Sequence, residues 1–271
     1  MLRAGGSLSM TVRIRSVDYE HEGHALRGEF AWNDEWTTPR PCVVVVHDAM
    51  KTDQGFEEER AVTLAGMGYA GFALDVYGAG VKGTTNEDAY SLMKPFELDR
   101  DFLQARLRAG LEAAADLPEV NAYEMAAIGY CFGGMCVLDL ARGNAPLIGV
   151  ASFHGLLSAP SQSHATQSTR PIEPRVLVLH GWDDPLVPAE LIEPFAREMS
   201  ERHADWQLVA YGGTMHSFSN MRYDMPEQGV AYHRDSERRS WQALTNFLAE
   251  LFQETAPNAE FGLIAGGARA S

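Results

Sequence analysis

Apolar residues along this chain follow three patterns. Thr11–Val17 (T-V-R-I-R-S-V) and His24–Trp32 (H-A-L-R-G-E-F-A-W) alternate apolar and polar residues. That is the period of a strand with one wet face, and Gly23 between them suits a hairpin turn. Continuous apolar runs follow at Pro41–Asp48, Ala70–Val76, Tyr123–Ile128, Leu147–Phe153 and Arg175–His180, with a last strand over Trp206–Tyr211. Strands buried on both faces read this way, and they belong to parallel sheets covered by helices. Helical period marks Phe56–Met67, with Gly68 as its C-cap, then Leu98–Leu117, Phe132–Ala141, Ala189–Arg202 and Arg234–Phe252. In the last of these, Trp241, Leu244, Phe247, Leu248 and Leu251 share one face. Tyr77–Pro95, Leu156–Arg170 and Met221–Gly229 keep neither period and predict loops. Strand and helix thus alternate behind an antiparallel pair. The order predicts an α/β fold, a doubly wound and mostly parallel sheet with helices on both faces.

Composition narrows this little. The 271 residues suit one domain over 11–254, with 1–10 as an N-terminal extension and 255–271 as a small-residue tail. Met10 would serve as an alternative start, making Met1–Ser9 an upstream addition. With 22 basic against 37 acidic residues the net charge is −15. An acidic chain without a Lys/Arg run argues against nucleic acid or an anionic membrane surface as partner. No run reaches the length of a membrane span, and residues 1–10 lack a signal-peptide core. Cys42, Cys131 and Cys136 read as reduced thiols. A cytoplasmic protein is expected, with a homodimer open to it. No H-x-x-x-H or C-x-x-C pair is present, so neither a metal nor a cofactor is expected.

Chemistry in such a sheet sits beyond the carboxyl ends of the strands. Those ends here carry His47-Asp48, Asp75, Cys131, His154, Asp183-Asp184 and His216. Gly129-Tyr130-Cys131-Phe132-Gly133 is a G-x-C-x-G version of the G-x-S-x-G nucleophile elbow. Its glycines allow the tight turn, and the helix behind it favours a thiolate. Cys131, then Asp183 or Asp184, then His216 follow the nucleophile–acid–histidine order of that elbow's sheet. His47, His154 and His180 read as packing or rim. A non-catalytic pocket protein is the alternative from another class. A redox pair of Cys131 and Cys136 is a third reading, set back by their separation across the elbow.

G-Y-C-F-G-G at 129–134, H-G-W-D-D-P-L-V-P at 180–188, Y-G-G-T-M-H-S-F at 211–218, V-V-V-V-H-D at 43–48 and L-D-V-Y-G at 74–78 together resemble the dienelactone hydrolase family of the α/β-hydrolases. The resemblance covers roughly Val43 to Phe252. It implies an α/β-hydrolase fold and cleavage of a small ester or lactone substrate. It implies Cys131 as nucleophile, His216 as base, and Asp184 over Asp183 through the pattern D-x-hydrophobic-V-P. It also implies an oxyanion hole from the backbone N–H groups of Phe132 and Ala49. Two departures stand out. The family's thiol-contacting Glu is replaced by the shorter Asp48. The family's two carboxylate-gripping arginines match Ala79 and Asn220, leaving Lys82 and Arg222 as nearby replacements, with Tyr77 at the same pocket. Dienelactone itself is therefore not the expected substrate.

Overall fold

In the computed structural model, residues 11–51, 55–159 and 170–254 are described. The expected extension 1–10, the tail 255–271 and most of the loop expected over Leu156–Arg170 lie outside them. β1 (Val12–His21) and β2 (His24–Asn33) pair antiparallel through a two-residue turn. Glu22 and Gly23 both have positive φ there, 51° and 76°, the turn whose twist matches a hairpin. β3 (Arg40–Val46), β4 (Ala70–Leu74), β5 (Val120–Tyr130), β6 (Gly149–Phe153), β7 (Arg175–Gly181) and β8 (Trp206–Tyr211) complete one sheet in the order β1-β2-β4-β3-β5-β6-β7-β8. β2 meets β4 antiparallel, and every pairing from β4 to β8 is parallel.

The valine run of β3 shows why a continuous apolar strand is needed. Val44 and Val46 enter one core layer with Leu103, Leu107 and Val137, while Val43 and Val45 enter the other with Leu64, Leu244 and Leu248. The first layer is capped by α3 (Arg100–Ala115), α4 (Phe132–Arg142) and α5 (Ile192–Glu201). The second is capped by α1 (Phe56–Gly66) and α6 (Arg234–Glu254).

Two expected loops are corrected. Asn86–Leu98, inside the stretch taken as irregular, is a helix, α2. Thr85 caps it and Asp88 returns the bond, a capping box that outweighs Pro95 in its last turn. Its Phe96 buries against Tyr77 and Phe132, ring centres 5.8 and 6.3 Å apart. Within Met221–Gly229, β9 (Asp224–Met225) pairs with β10 (Val230–Ala231) across a short 3-10 turn. Among the described residues no helix is long and apolar enough to cross a membrane.

Candidate active site

Cys131 stands between β5 and α4 with φ 53° and ψ −112°. A non-glycine residue held there stores roughly 1–3 kcal/mol of strain, sustained only where the surroundings leave no alternative. The surroundings are glycine-tight. A Cβ on Gly129 would lie 2.0 Å from the Gly133 carbonyl oxygen, and one on Gly133 would lie 2.2 Å from that of Val46. The start of α4 is thereby pressed against the end of β3, which brings the elbow beside the segment His47–Ala49. Neither the Phe132 nor the Ala49 amide has an acceptor among the described residues. Tyr77 braces both partners, since its hydroxyl donates to the Ala49 carbonyl at 3.0 Å and its ring stacks on Phe132 at 5.7 Å.

His216 follows β8, and its backbone is clamped on both sides. Its N–H donates to the Gly229 carbonyl at 2.9 Å, and its carbonyl accepts from Ala231 at 3.1 Å. The β9–β10 segment, read from sequence as irregular, is thus what holds this residue. His216 Nδ1 meets Asp184 Oδ2 at 2.7 Å, and Asp184 Oδ1 accepts from the Leu186 amide at 2.8 Å. Asp184 is 2% exposed. Asp183 is exposed instead and, among the described residues, makes only a backbone link, its N–H to the Thr214 carbonyl. The structure therefore pairs Asp184, not Asp183, with the imidazole.

The other ring nitrogen, Nε2, is buried with no aligned hydrogen-bond partner, and the Cys131 sulfur is its neighbour. Burial alone would make this ring less basic. The charge of the Cys131 sulfur and the bond and charge of Asp184 outweigh it, and His216 is pushed up to about 10. At neutral pH the ring keeps its proton beside the sulfur. Cys42 and Cys136 are fully buried and carry no such neighbour; burial pushes the Cys42 thiol up to about 12 and that of Cys136 well up too.

The remaining expected residues fall in less simple places. Asp48 is 7% exposed; its Oδ1 accepts from the Met50 and Lys51 amides and its Oδ2 from the Tyr223 hydroxyl at 2.7 Å. Among the described residues its carboxylate bonds these groups rather than the thiol, so an effect on Cys131 would run through Tyr223. Arg222 pairs with Glu59 at 2.9 Å and lies over the Phe56 ring, on the wall of a cavity of about 350 Å³ that also involves Arg60, Ser219 and Glu237. Lys82 is exposed on the segment between β4 and α2. Asn220, where the sequence resemblance led us to expect an arginine, is 5% exposed and accepts from the Arg222 amide.

Sequence reading missed Tyr223, Glu57 and Lys51. Lys51 reaches Asp75 and the Gly78 carbonyl, tying the His47–Lys51 segment to the end of β4. His47 completes that tie: its Nε2 accepts from the Val76 amide and its Nδ1 donates to the Asp48 carbonyl. Burial, with Lys51 nearby, pushes His47 down to about 4, so it stays neutral and structural. Among the described residues no cluster of His, Cys, Asp or Glu is arranged to hold a metal ion.

A family model described as the dienelactone hydrolase family matches residues 28–252. Among solved structures the chain is similar to a dienelactone hydrolase-like promiscuous phosphotriesterase from metagenomic libraries. The identity is 36%, the TM-score is 0.81, and the match covers 89% of this chain and 98% of that one. An uncharacterized protein of Caenorhabditis elegans is 35% identical over 152 residues, 55% of this chain and 94% of that protein. A Yersinia pestis protein provisionally named a carboxymethylenebutenolidase is 23% identical over 237 residues, 84% of this chain and 85% of that protein.

Proposed function

Because this chain belongs to the dienelactone hydrolase family, we propose that it hydrolyses a small carboxylic ester or lactone with Cys131 as nucleophile, His216 as acid and base, and Asp184 as the carboxylate that orients His216. The observation that carries this reading is the buried Asp184–His216 bond, with the free imidazole edge beside a strained, part-exposed cysteine. The proton that the leaving alkoxide needs already resides on His216. Attack forms the S–C bond and moves the carbonyl electrons onto oxygen. The two unpartnered amides of Phe132 and Ala49 are the donors for that oxyanion, each worth about 3 kcal/mol. Collapse expels the alkoxide, which takes the proton from His216 and leaves a thioester on Cys131. A water then loses a proton to the neutral His216, attacks the thioester and frees the acid. The returning thiolate again faces a protonated imidazole.

Cys131→Ala should abolish hydrolysis of a p-nitrophenyl ester while thermal unfolding stays that of a folded protein. Iodoacetamide should label one thiol rapidly in the parent and none rapidly in the variant. Full esterase activity in Cys131→Ala removes the nucleophile assignment. The same experiment decides against a non-catalytic binding protein, which would hold no fast-reacting thiol. The similar phosphotriesterase supports a second substrate class on the same thiol, an uncharged phosphotriester. Its phosphoryl oxygen would occupy the place of the ester carbonyl.

A further inference from the structure

His154 directly follows β6 and is used by none of the steps above. It is 2% exposed and carries φ 40°, so the chain holds an imidazole in a backbone conformation that few residues adopt. Its main-chain N–H donates to the Leu179 carbonyl at 2.8 Å, anchoring it to β7. Both ring nitrogens are spoken for. Nδ1 lies 3.2 Å from the Cys131 amide, and Nε2 lies 2.8 Å from Ser219 Oγ. An amide only donates, so Nδ1 is the acceptor and the ring proton sits on Nε2, directed to the serine. The same ring stands edge-on to His216, centres 5.1 Å apart, and to Phe218 at 5.3 Å. One side chain thus touches the nucleophile's own peptide, the loop three residues beyond the base, and the base itself. Burial, and the charge His216 carries, keep it well below the usual histidine range, so it stays neutral beside a charged neighbour.

The geometry points to His154 as a positioning residue, a neutral strut that fixes the nucleophile elbow against the loop bearing His216. This rests on the reading of Cys131 and His216 as nucleophile and base. Three elements meet at the site, and the hydrogen bonds between them help set the separation of sulfur and imidazole. The Cys131 amide also donates to the Phe153 carbonyl at 3.0 Å, which holds the elbow to β6 but not to the histidine loop. Ser219 is held from behind, its carbonyl accepting from Arg60 at 3.2 Å. Removing the strut leaves the sheet intact and frees one side of the reacting pair to drift. A displacement near 1 Å costs about a hundredfold in rate when the reacting groups must align.

The conservative replacements separate the two ends of the strut. Asparagine places an acceptor near the position of Nδ1 and tolerates positive φ, so it keeps the bond to the Cys131 amide. Glutamine reaches Ser219 but leaves that amide with Phe153 alone. In the folded fraction, His154→Ala is expected to lose about tenfold to a hundredfold in kcat with KM within about twofold of the parent. His154→Asn is expected to recover at least about fivefold of that loss, and His154→Gln and Ser219→Ala to fall between. A role confined to stability would lower Tm in these variants and leave kcat of the folded enzyme alone. The inference is overturned if folded His154→Ala keeps kcat within about twofold, or if Ala and Asn lose it equally. Should His154→Ala not fold, Asn no faster than Gln, or Ser219→Ala at parent kcat, overturns it instead. Activity surviving in Cys131→Ala would bring down the nucleophile reading, whereas unchanged kcat in the His154 variants with a dead Cys131→Ala would bring down the strut alone.

Discussion

Glu57 lies in the first turn of α1 with 6% of its surface exposed, close to another acid, Asp48, whose amide donates to Glu57 Oε1 at 3.2 Å. Burial first, and the Asp48 charge second, push this carboxyl from 4.5 up to about 8. The unfolded chain releases that proton near the ordinary value, so above it the native state binds more protons than the unfolded state. Stability from this group is full below about pH 4.5 and drains as pH rises through about 8. The slope in that window reaches about 1.4 kcal/mol per pH unit. Glu57→Gln keeps the acceptor for the Asp48 amide and removes the charge. Its Tm should match the parent near pH 5 and exceed it by several degrees near pH 8, and equal Tm at both would show that Glu57 ionises freely. The neighbouring acids at the base are distinguished by burial in the same way. Asp184→Asn should lower kcat by about 10³–10⁴, as loss of the orienting carboxylate does in serine enzymes, and Asp183→Asn should leave it near the parent. A reversed pattern would move the acid one residue. The residues alone left Asp183 and Asp184 open, and only the pattern D-x-hydrophobic-V-P that the family resemblance supplied favoured Asp184; nothing in the sequence marked Tyr223 as the partner of Asp48. That contact joins residues far apart in the chain, and no local period encodes it.

At the level of elements, what was legible is what a local pattern can carry. The hairpin, the valine run of β3 and the apolar face of α6 are dictated by the period of their own side chains, and they stand where expected. α2 was hidden because Gly78, Gly80 and Gly83 and then Pro95 dilute the pattern on both sides of a capping box. The sequence V-L-D-L in α4 reads as an apolar helix with one stray acid. In the structure Asp139 is fully buried and accepts from Arg100 and Arg142, while Arg142 also binds Glu198 at 2.9 Å. One carboxylate thus ties α3 to α4, and the second arginine carries the tie on to α5. A buried pair adds little net stability over an apolar replacement, but removing one partner strands the others. Asp139→Ala leaves two guanidinium groups in the core layer with fewer acceptors. It should cost about 3–5 kcal/mol in urea unfolding with m unchanged. A loss under about 1 kcal/mol would mean that water reaches these arginines.

The whole molecule sets which substrates arrive. The net charge of −15 includes, at the site, the acids Asp48 and Asp75, both at most 7% exposed. The cations near them are engaged: Lys51 with Asp75, Arg60 with Glu237 and Arg222 with Glu59. Ala79 and Asn220, where the sequence resemblance led us to expect two arginines, carry no charge. A carboxylate-bearing ester therefore approaches against the field of the protein and meets no guanidinium fork of the kind that grips such groups. An uncharged ester meets neither penalty. Salt separates the two cases, because the screening length falls from about 30 Å at 0.01 M to about 3 Å at 1 M. For an uncharged p-nitrophenyl ester kcat/KM should stay level across that range. For the same ester with a carboxylate at the end of its acyl chain kcat/KM should start lower and climb as salt is added. If it falls instead, a cation does receive the carboxylate, and Lys82, the exposed lysine on the segment between β4 and α2, is the first residue to replace with alanine. The direction of that slope thus decides whether an acidic chain that lacks both arginines has turned its site toward neutral esters or has found another way to hold an anion.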